Sequence, residues 1–591
     1  MQNTSGQSPA SAVPRWRRGL ARHQRGAIAL AGLTLLVGCS TKQLTKSADK
    51  QVYGLIQSRG ASVADMDRKF TLENTNQLSL AAFPVNEKTD EALGEAAKFE
   101  QGAHILTLKD ALGLGVNFSR AYQTARDQLY LTALTLTLAQ HRFTPLFTAA
   151  GNVAVSGQAV PQQVTEYIPD PLDPTKVKAV LSDTLVEQNR VRVNGAIRMD
   201  WLIRDVGRIT AAFVADFTRI FSGGVGTVSS SQVGATFSRP LLRNAGFLAE
   251  QDVLTQAEHD LLYGIRDFTR FRKDFTVQIA SDYYQALGNR DTVRNVYLAL
   301  QGSRQDTARA RELAKEGRMS QADLARYEQQ LLNAESAWID SVRAYLQALD
   351  GFKVRLGLPA DAQVMLDARD LEQLAIMHPD VQVHDAIELA LTARLDYQNA
   401  QGRVEDADRR VKLAINNLKP QVDFVAGITF NSDPNSTSGF ALPELDRYQW
   451  NAGLDVDVPL DRLEKRNAYR SAVINQGQVQ RAKVQLHDEI ELEVRDTWRV
   501  LEQARRTYQI SEISVELAKR RVENQEILAS LGRANALDQV DAQKALVESR
   551  NERTRALVAH TIARLRFWNS LGVLYVQDNG QWQEIPHAPT K

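Results

Sequence analysis

The chain has 591 residues, with 71 Lys and Arg against 70 Asp and Glu and charged residues at 24%. That balance supplies neither a basic surface for nucleic acid nor a single-sign interaction tail. The length is enough for several ordinary cores, and only 17 prolines leave long stretches free to be helical.

Residues 1–38 read as a lipoprotein signal peptide. Arg15, Arg17, Arg18, Arg22 and Arg25 form a basic region, followed by an apolar run at 27–37. The run is shorter than the roughly 20 residues a helical span needs. It ends in Leu36-Val37-Gly38-Cys39, which resembles a bacterial lipobox, where small residues precede the cut and a thiolate takes the lipid. Cys39 is the only cysteine, so no intramolecular disulfide is available and packing alone must hold an exported chain. Ser40, in place of the aspartate that retains some lipoproteins at the inner membrane, is compatible with the outer membrane. Residues 39–100 are expected to form a periplasmic arm, polar and interrupted by Pro84. Beyond residue 39 no run of 18 apolar residues occurs. A membrane crossing after that point therefore requires a closed β-barrel.

The remainder reads as two related halves, 101–359 and 385–574, joined by a segment at 360–384 and followed by a tail at 575–591. Gly317-Arg318 recurs as Gly532-Arg533, Asp323 as Asp538, Leu331 as Leu546, and Leu356-Gly357 as Leu571-Gly572. Each pair has the same spacing, as expected of an internal duplication. The first half predicts a helical stretch over 106–142 and strands at about 143–156 and 231–239. A helix at 247–316, a turn and a helix at 320–356 complete it. The second predicts a helical stretch over 385–417, strands at 421–430 and 450–458, and helices at 460–531 and 533–570.

The strand assignments rest on a period of two. In 450–458, Trp450, Ala452, Leu454, Val456 and Val458 alternate with Asn451, Gly453, Asp455 and Asp457. A soluble sandwich would show the same alternation, so the strands alone leave both readings open. Between the first two strands lies a long insertion, 157–230. Within it Val193, Ile197 and Trp201, then Ile209, Phe213 and Phe217, mark an extra hairpin, which could either join the sheet or rise above it. The helix assignments rest on length without proline and on a seam. From Leu324 through Tyr327, Leu331, Ala334, Trp338 and Val342 to Leu356, apolar or small residues recur at spacings of three and four, as in a coiled coil.

No catalytic constellation is present. Nine histidines are scattered, with no HExxH, Walker A or GxGxxG sequence, so neither enzyme activity, a cofactor nor a metal is expected. Asp323 and Asp538 each fall six residues after a turn glycine. They suit either a helix N-terminus, whose dipole favours anions, or charges at a tunnel entrance.

Over 101–574 these features resemble the TolC family of outer-membrane efflux proteins. The most diagnostic stretch is Leu531-Gly-Arg-Ala-Asn-Ala-Leu-Asp-Gln-Val-Asp-Ala-Gln-Lys-Ala-Leu546, with the strand-to-helix junctions Asp457-Val-Pro-Leu460 and Ser238-Arg-Pro-Leu-Leu-Arg243. The resemblance implies a mixed α/β membrane protein. Its homotrimer would form a transmembrane β-barrel, four strands per subunit and twelve in all, continued by a long periplasmic α-helical coiled-coil barrel. A mixed equatorial layer would come from 357–384, from 572–591 and from part of the arm. Gly317, Arg318, Leu324, Gly532, Arg533 and Leu537 would then form turns that dock a periplasmic adaptor (membrane fusion) protein. An inner-membrane efflux pump or ABC exporter would complete the system. In the barrel, Trp450, Leu454 and Val456 would face outer-membrane lipid, and Asp455 and Asp457 the lumen. The competing expectation is a non-conducting coiled-coil lipoprotein of the periplasm or outer membrane.

The lipobox gives a first testable outcome. Intact mass of the membrane-extracted protein is expected to show Cys39 as the acylated first residue. An unmodified Cys39 still joined to residues 1–38 would contradict it.

Overall fold

The computed structural model describes residues 41–66, 70–72, 79–170, 173–222, 226–433, 441–531, 533 and 536–583. Residues 1–38, Cys39 and Gly532 lie outside the described residues. Residues up to Leu55 form one compact unit, of which the described part is most of the helix Thr41–Gly60. The second unit, Ile56–Lys591, holds the sheet and the long helices.

Its main elements in chain order are α1 (Leu108–Phe118), α2 (Arg120–His141), β1 (Leu146–Asp170), β2 (Asp173–Ile203), β3 (Gly207–Ile220), β4 (Gly226–Pro240), α3 (Leu248–Lys315) and α4 (Gln321–Leu356). Then come α5 (Val383–Ala393), α6 (Leu395–Asn417), β5 (Gln421–Asn431), β6 (Tyr448–Asp457), α7 (Leu463–Ser530) and α8 (Ala536–Ser570). At 68 residues each, α3 and α7 extend about 100 Å at 1.5 Å per residue. The return helix α4 lies on α3 along its seam: Tyr327, Ala334, Tyr345, Leu349, Phe352 and Leu356 are buried, while Leu324, Leu331, Trp338 and Val342 are half-buried.

The stretches expected as single helices over 106–142 and 385–417 are each broken once. Ser119 (φ −62°, ψ 126°) separates α1 from α2, and Arg394 (φ −70°, ψ 123°) separates α5 from α6. The cause is a close approach. Gly357 ends α4 with φ 84°, and a Cβ there would sit 2.1 Å from the Phe118 carbonyl oxygen. Gly572 follows α8 with φ 76°, and its Cβ would meet Ala393 at 3.3 Å. Each return helix thus ends in a glycine lodged against the break of a shorter helix.

The helix ends also repeat in their hydrogen bonds. Arg318 N donates to Leu313 O (2.9 Å) and Arg533 N to Leu528 O (2.9 Å). Leu358 N donates to Lys353 O (2.9 Å) and Val573 N to Trp568 O (3.3 Å). These are the long bonds of the Schellman helix ending, which satisfies carbonyls that the last turn leaves free.

A mixed layer wraps the middle of α3. His104–Leu106 pairs in parallel with Val364–Leu366, and Tyr575–Val576 pairs with Trp582–Gln583. The Tyr283 hydroxyl donates to Asp370 Oδ2 (2.6 Å), with Leu106 O 3.1 Å away. Buried Arg272 donates to the Val576 (3.3 Å) and Gln577 (3.1 Å) carbonyls. Arg290 joins the arm to α3 through Glu100 (2.9 Å) and Asp90 (3.0 Å), and the Tyr345 hydroxyl of α4 donates to Glu100 (2.6 Å). Burial alone would lower the Arg290 pKa, but the Glu100 carboxylate outweighs it and raises it. A second core joins Ile387 and Ala390 of α5 to Ile490, Val494 and Leu501 of α7 and Phe567 of α8.

The sheet departs from the expected four strands. It has six, in the order β1-β2-β3-β4-β5-β6, every neighbour antiparallel. The insertion 157–230 supplies β2 and β3 whole and lengthens β1 and β4, because its alternating residues continue the ladder rather than leave it. Among the described residues of a single chain the sheet does not close.

The two glycine environments in α4 give a prediction. Gly357→Ala must place a Cβ on the Phe118 carbonyl in a left-handed conformation that costs about 1–2 kcal/mol before any clash. Gly351, inside the same helix with open space at its Cβ, should gain about 0.5–1 kcal/mol on Gly351→Ala. Thermal melts of the two variants are expected to shift in opposite directions.

Candidate functional site

Two regions carry the features that bear on function: the two-faced sheet and the paired helical tips. In the sheet, registered pairs place alternate residues on common faces. One face carries Phe147, Ile197, Phe213, Val233, Ile428 and Trp450, through the pairs Phe213↔Val233, Val233↔Phe430 and Ile428↔Trp450 among others. These large side chains are not packed away: Trp450 is 71% and Leu454 60% exposed. The opposite face is polar and cross-linked by charge. Arg192 Nε donates to Asp216 Oδ2 (2.8 Å), Arg190 Nε to Ser156 Oγ (3.1 Å), and Arg208 pairs with Asp200 (3.7 Å). Asp455 and Asp457 lie on this second face, paired with Asp423 and Gln421. A sheet buried on neither side in water would expose its apolar face at a large cost. A bilayer on one side and water on the other fits both faces.

The charged face within the insertion escaped the sequence reading, which followed only the apolar alternation there. Its signal was present: Arg190, Arg192, Arg198 and Asp200 occupy alternate positions between the apolar residues of 191–201.

The sheet runs directly into helices. Arg243, just beyond β4, hydrogen-bonds Gln421 at the start of β5. Below this, α6 is tied to α3 through buried Asp406, which accepts from the Tyr263 hydroxyl (2.8 Å) and pairs with Arg409 (2.8 Å). Burial works to raise the Asp406 pKa, but these hydrogen bonds and that of His259 outweigh it and hold the carboxyl low.

At the far end of the helices, Gly317 takes φ 71°. Arg318 is exposed and pairs with Glu316 (3.3 Å). Asp323 sits in the first turn of α4, where its N–H donates to Ser320 Oγ (3.0 Å), the Ser320 hydroxyl donates to its carboxylate (2.7 Å), and Arg326 lies 3.4 Å away. Asp538 occupies the first turn of α8. Arg533 and Leu537 are exposed. Leu324 is not free: it packs with Met319 and Val540 against Ala310 and Tyr327. The Tyr327 hydroxyl also donates to Gln539 Oε1. The structure therefore brings the two tips side by side. Gln539 and Val540 do this, and the sequence reading did not single them out, because a contact between halves leaves no trace in either half's periodicity.

Among the described residues no group of three or more His, Cys, Asp or Glu could hold a metal ion. No helix among them is long and apolar enough to cross a membrane. Buried His560 of α8 stands beside His378 (ring centroids 6.4 Å). Burial first, then the Arg564 charge, pushes its pKa down to about 4, which keeps the ring neutral near pH 7.

With this geometry, comparisons with known proteins are decisive for the fold. The family model for outer membrane efflux protein matches residues 386–573. The CusC structure, described in terms of folding and transmembrane channel formation, superposes with a TM-score of 0.57 at 14% identity, over 79% of this chain and 92% of that one. The chain has the fold of an outer-membrane efflux channel. The Campylobacter jejuni CmeC outer membrane channel superposes at 0.56 with 13% identity, over 86% of this chain and 95% of that one. The Neisseria gonorrhoeae MtrE outer membrane channel, in its open state, gives 0.54 with 12% identity, over 79% and 89%. No curated protein sequence matches the chain.

The two faces of β6 make opposite predictions for one substitution. Leu454→Arg is expected to impair membrane insertion by about 2–4 kcal/mol if it lies near the midplane. Asp455→Arg should assemble normally. Equal loss of heat-modifiable migration in both variants would refute the assignment of faces.

Proposed function

We propose that this chain is the outer-membrane channel of a tripartite efflux or type I secretion system. Three copies would form one duct that conducts exported substrates passively from an inner-membrane pump or ABC exporter to the exterior. The observation that carries this reading is a sheet apolar on one face and ionic on the other, continued by helices of about 100 Å. Such a sheet needs lipid on one side and water on the other, and such helices can bridge a periplasm. The family match over 386–573 supports the same reading.

The homotrimer is supported by apolar residues that a single chain leaves uncovered. Ile510, Ile513 and Leu517 of α7 are 65%, 62% and 60% exposed and share one helical stripe. Neighbouring copies would cover it. The adaptor contact is assigned to the turns at Gly317-Arg318 and Gly532-Arg533. Asp323 and Asp538 would line the entrance close by, and Asp455 and Asp457 the barrel lumen. Localisation is the outer membrane, with acyl chains on Cys39 adding to the anchorage of the barrel.

The test is crosslinking in cells. With Cys39 kept, Arg318→Cys or Arg533→Cys is expected to trap a periplasmic adaptor carrying a cysteine at its own tip. Lys519→Cys, on the side of α7, should not. If only the lateral position traps the adaptor, docking is along the tunnel wall. If purified protein neither migrates heat-modifiably nor conducts ions in planar bilayers, the channel reading fails and a non-conducting lipoprotein remains.

A further inference from the structure

The six-stranded sheet sets a problem of closure that four strands would not pose. One hydrogen-bonded row crosses it entirely, from Leu146 through Asp200, Thr210, Thr236 and Gly427 to Asn451. The hairpin β2–β3 therefore stands at the same height as the strands that connect to helices. It is part of the wall, not a loop above it. Its lower turn is also held at the level of the sheet's helical end. Asp205 takes φ 60° there and accepts from Gln251 Nε2 of α3 at 2.7 Å.

The hairpin also shares both faces of the wall. Ile197 and Phe213 are on the apolar side, and the Arg192–Asp216 pair is on the polar side. A hairpin outside the barrel would place those charges against lipid or outer strands, at a cost of about 2–4 kcal/mol for a basic residue near the midplane.

Among the described residues the outer edges of β1 and β6 have no strand partner. Edges left in hydrocarbon strand their N–H and C=O groups without hydrogen bonds, which a membrane does not tolerate. Six strands are also fewer than the eight of the smallest known transmembrane barrels. The edges must pair with other chains.

We propose that the edge of β1 pairs with the edge of β6 in a second copy of this chain, and that three copies close an eighteen-stranded barrel. This inference rests on the channel reading and adds the strand number to it. Each chain connects sheet to helix at four places, after α2, before α3, after α6 and before α7, whereas it contributes six strands. The wall of the barrel is thus wider than its helical connections alone require. With strands about 4.8 Å apart and tilted about 40°, eighteen strands enclose a backbone diameter of about 36 Å against about 24 Å for twelve. The sheet accordingly admits bulky hydrated cargo, and restriction by size falls to the helical segment.

The experiment is electron cryo-microscopy of the full-length protein in lipid nanodiscs, viewed down the barrel axis, with planar-bilayer conductance measured on the same preparation. Eighteen strands in a conducting trimer, a diameter about 1.5 times that of a twelve-stranded wall, is the expected result. Cysteines placed singly at the apolar-face positions from 147 to 155, combined with Ala452→Cys, should then link neighbouring subunits at one register. A conducting trimer with twelve strands and β2–β3 folded outside overturns this inference and leaves the channel reading intact. A preparation with neither ring nor conductance overturns both.

Discussion

A backbone amide placed in hydrocarbon has no water to bond, so every N–H and C=O in a membrane-crossing strand must find a partner in another strand. On the channel reading proposed above, that constraint orders the rest of this structure. It would account for six strands paired edge to edge, with one register shift at Pro169/Asp170, and for open edges that further copies of the chain would cover.

The helices obey a different constraint. They are charged and wetted over much of their surface, and their stability comes from narrow seams rather than a broad core. The α4 seam against α3 and the α5–α7–α8 cluster are the clearest examples. Such thin packing needs lateral ties, and the structure supplies them at intervals: Tyr327 to Gln539 at the tips, Glu100 to Arg290 and Tyr345 at mid-height, and Asp406 to Tyr263 and Arg409 to Asp252 below the sheet. Removing Arg290 would leave buried Glu100 without a cationic partner, so this tie acts as a fixed point rather than as an adjustable surface pair. The glycines at 357 and 572 add steric locks, where the absence of a Cβ lets one backbone rest on another.

Among the buried polar groups, Asp406 accepts from Gln256, His259, Tyr263 and Arg409, Arg290 pairs with Glu100, and burial keeps His560 neutral. Asp406 and Arg290 each join elements. On the proposed channel reading, function would lie in the shape and charge of surfaces, the polar face of the sheet and the exposed ends of the helices.

The sequence by itself determined the long helices, the two-faced strands of the second half and the recurrent Gly-Arg turns. These depend on local rules: absence of proline, a period of two or of three and four, and a residue able to take positive φ. Alternation in 193–217 also marked the extra hairpin. Tertiary structure alone decided where that hairpin stands, because height in a sheet is set by register with neighbours distant in the chain. It likewise decided the breaks at Ser119 and Arg394, which no proline announces and which arise from glycines 238 and 178 positions away that pack against them. The union of the two tips through Tyr327, Gln539 and Val540 belongs to the same class. Periodicity fixes which face of an element is apolar, but only the folded chain fixes what that face meets.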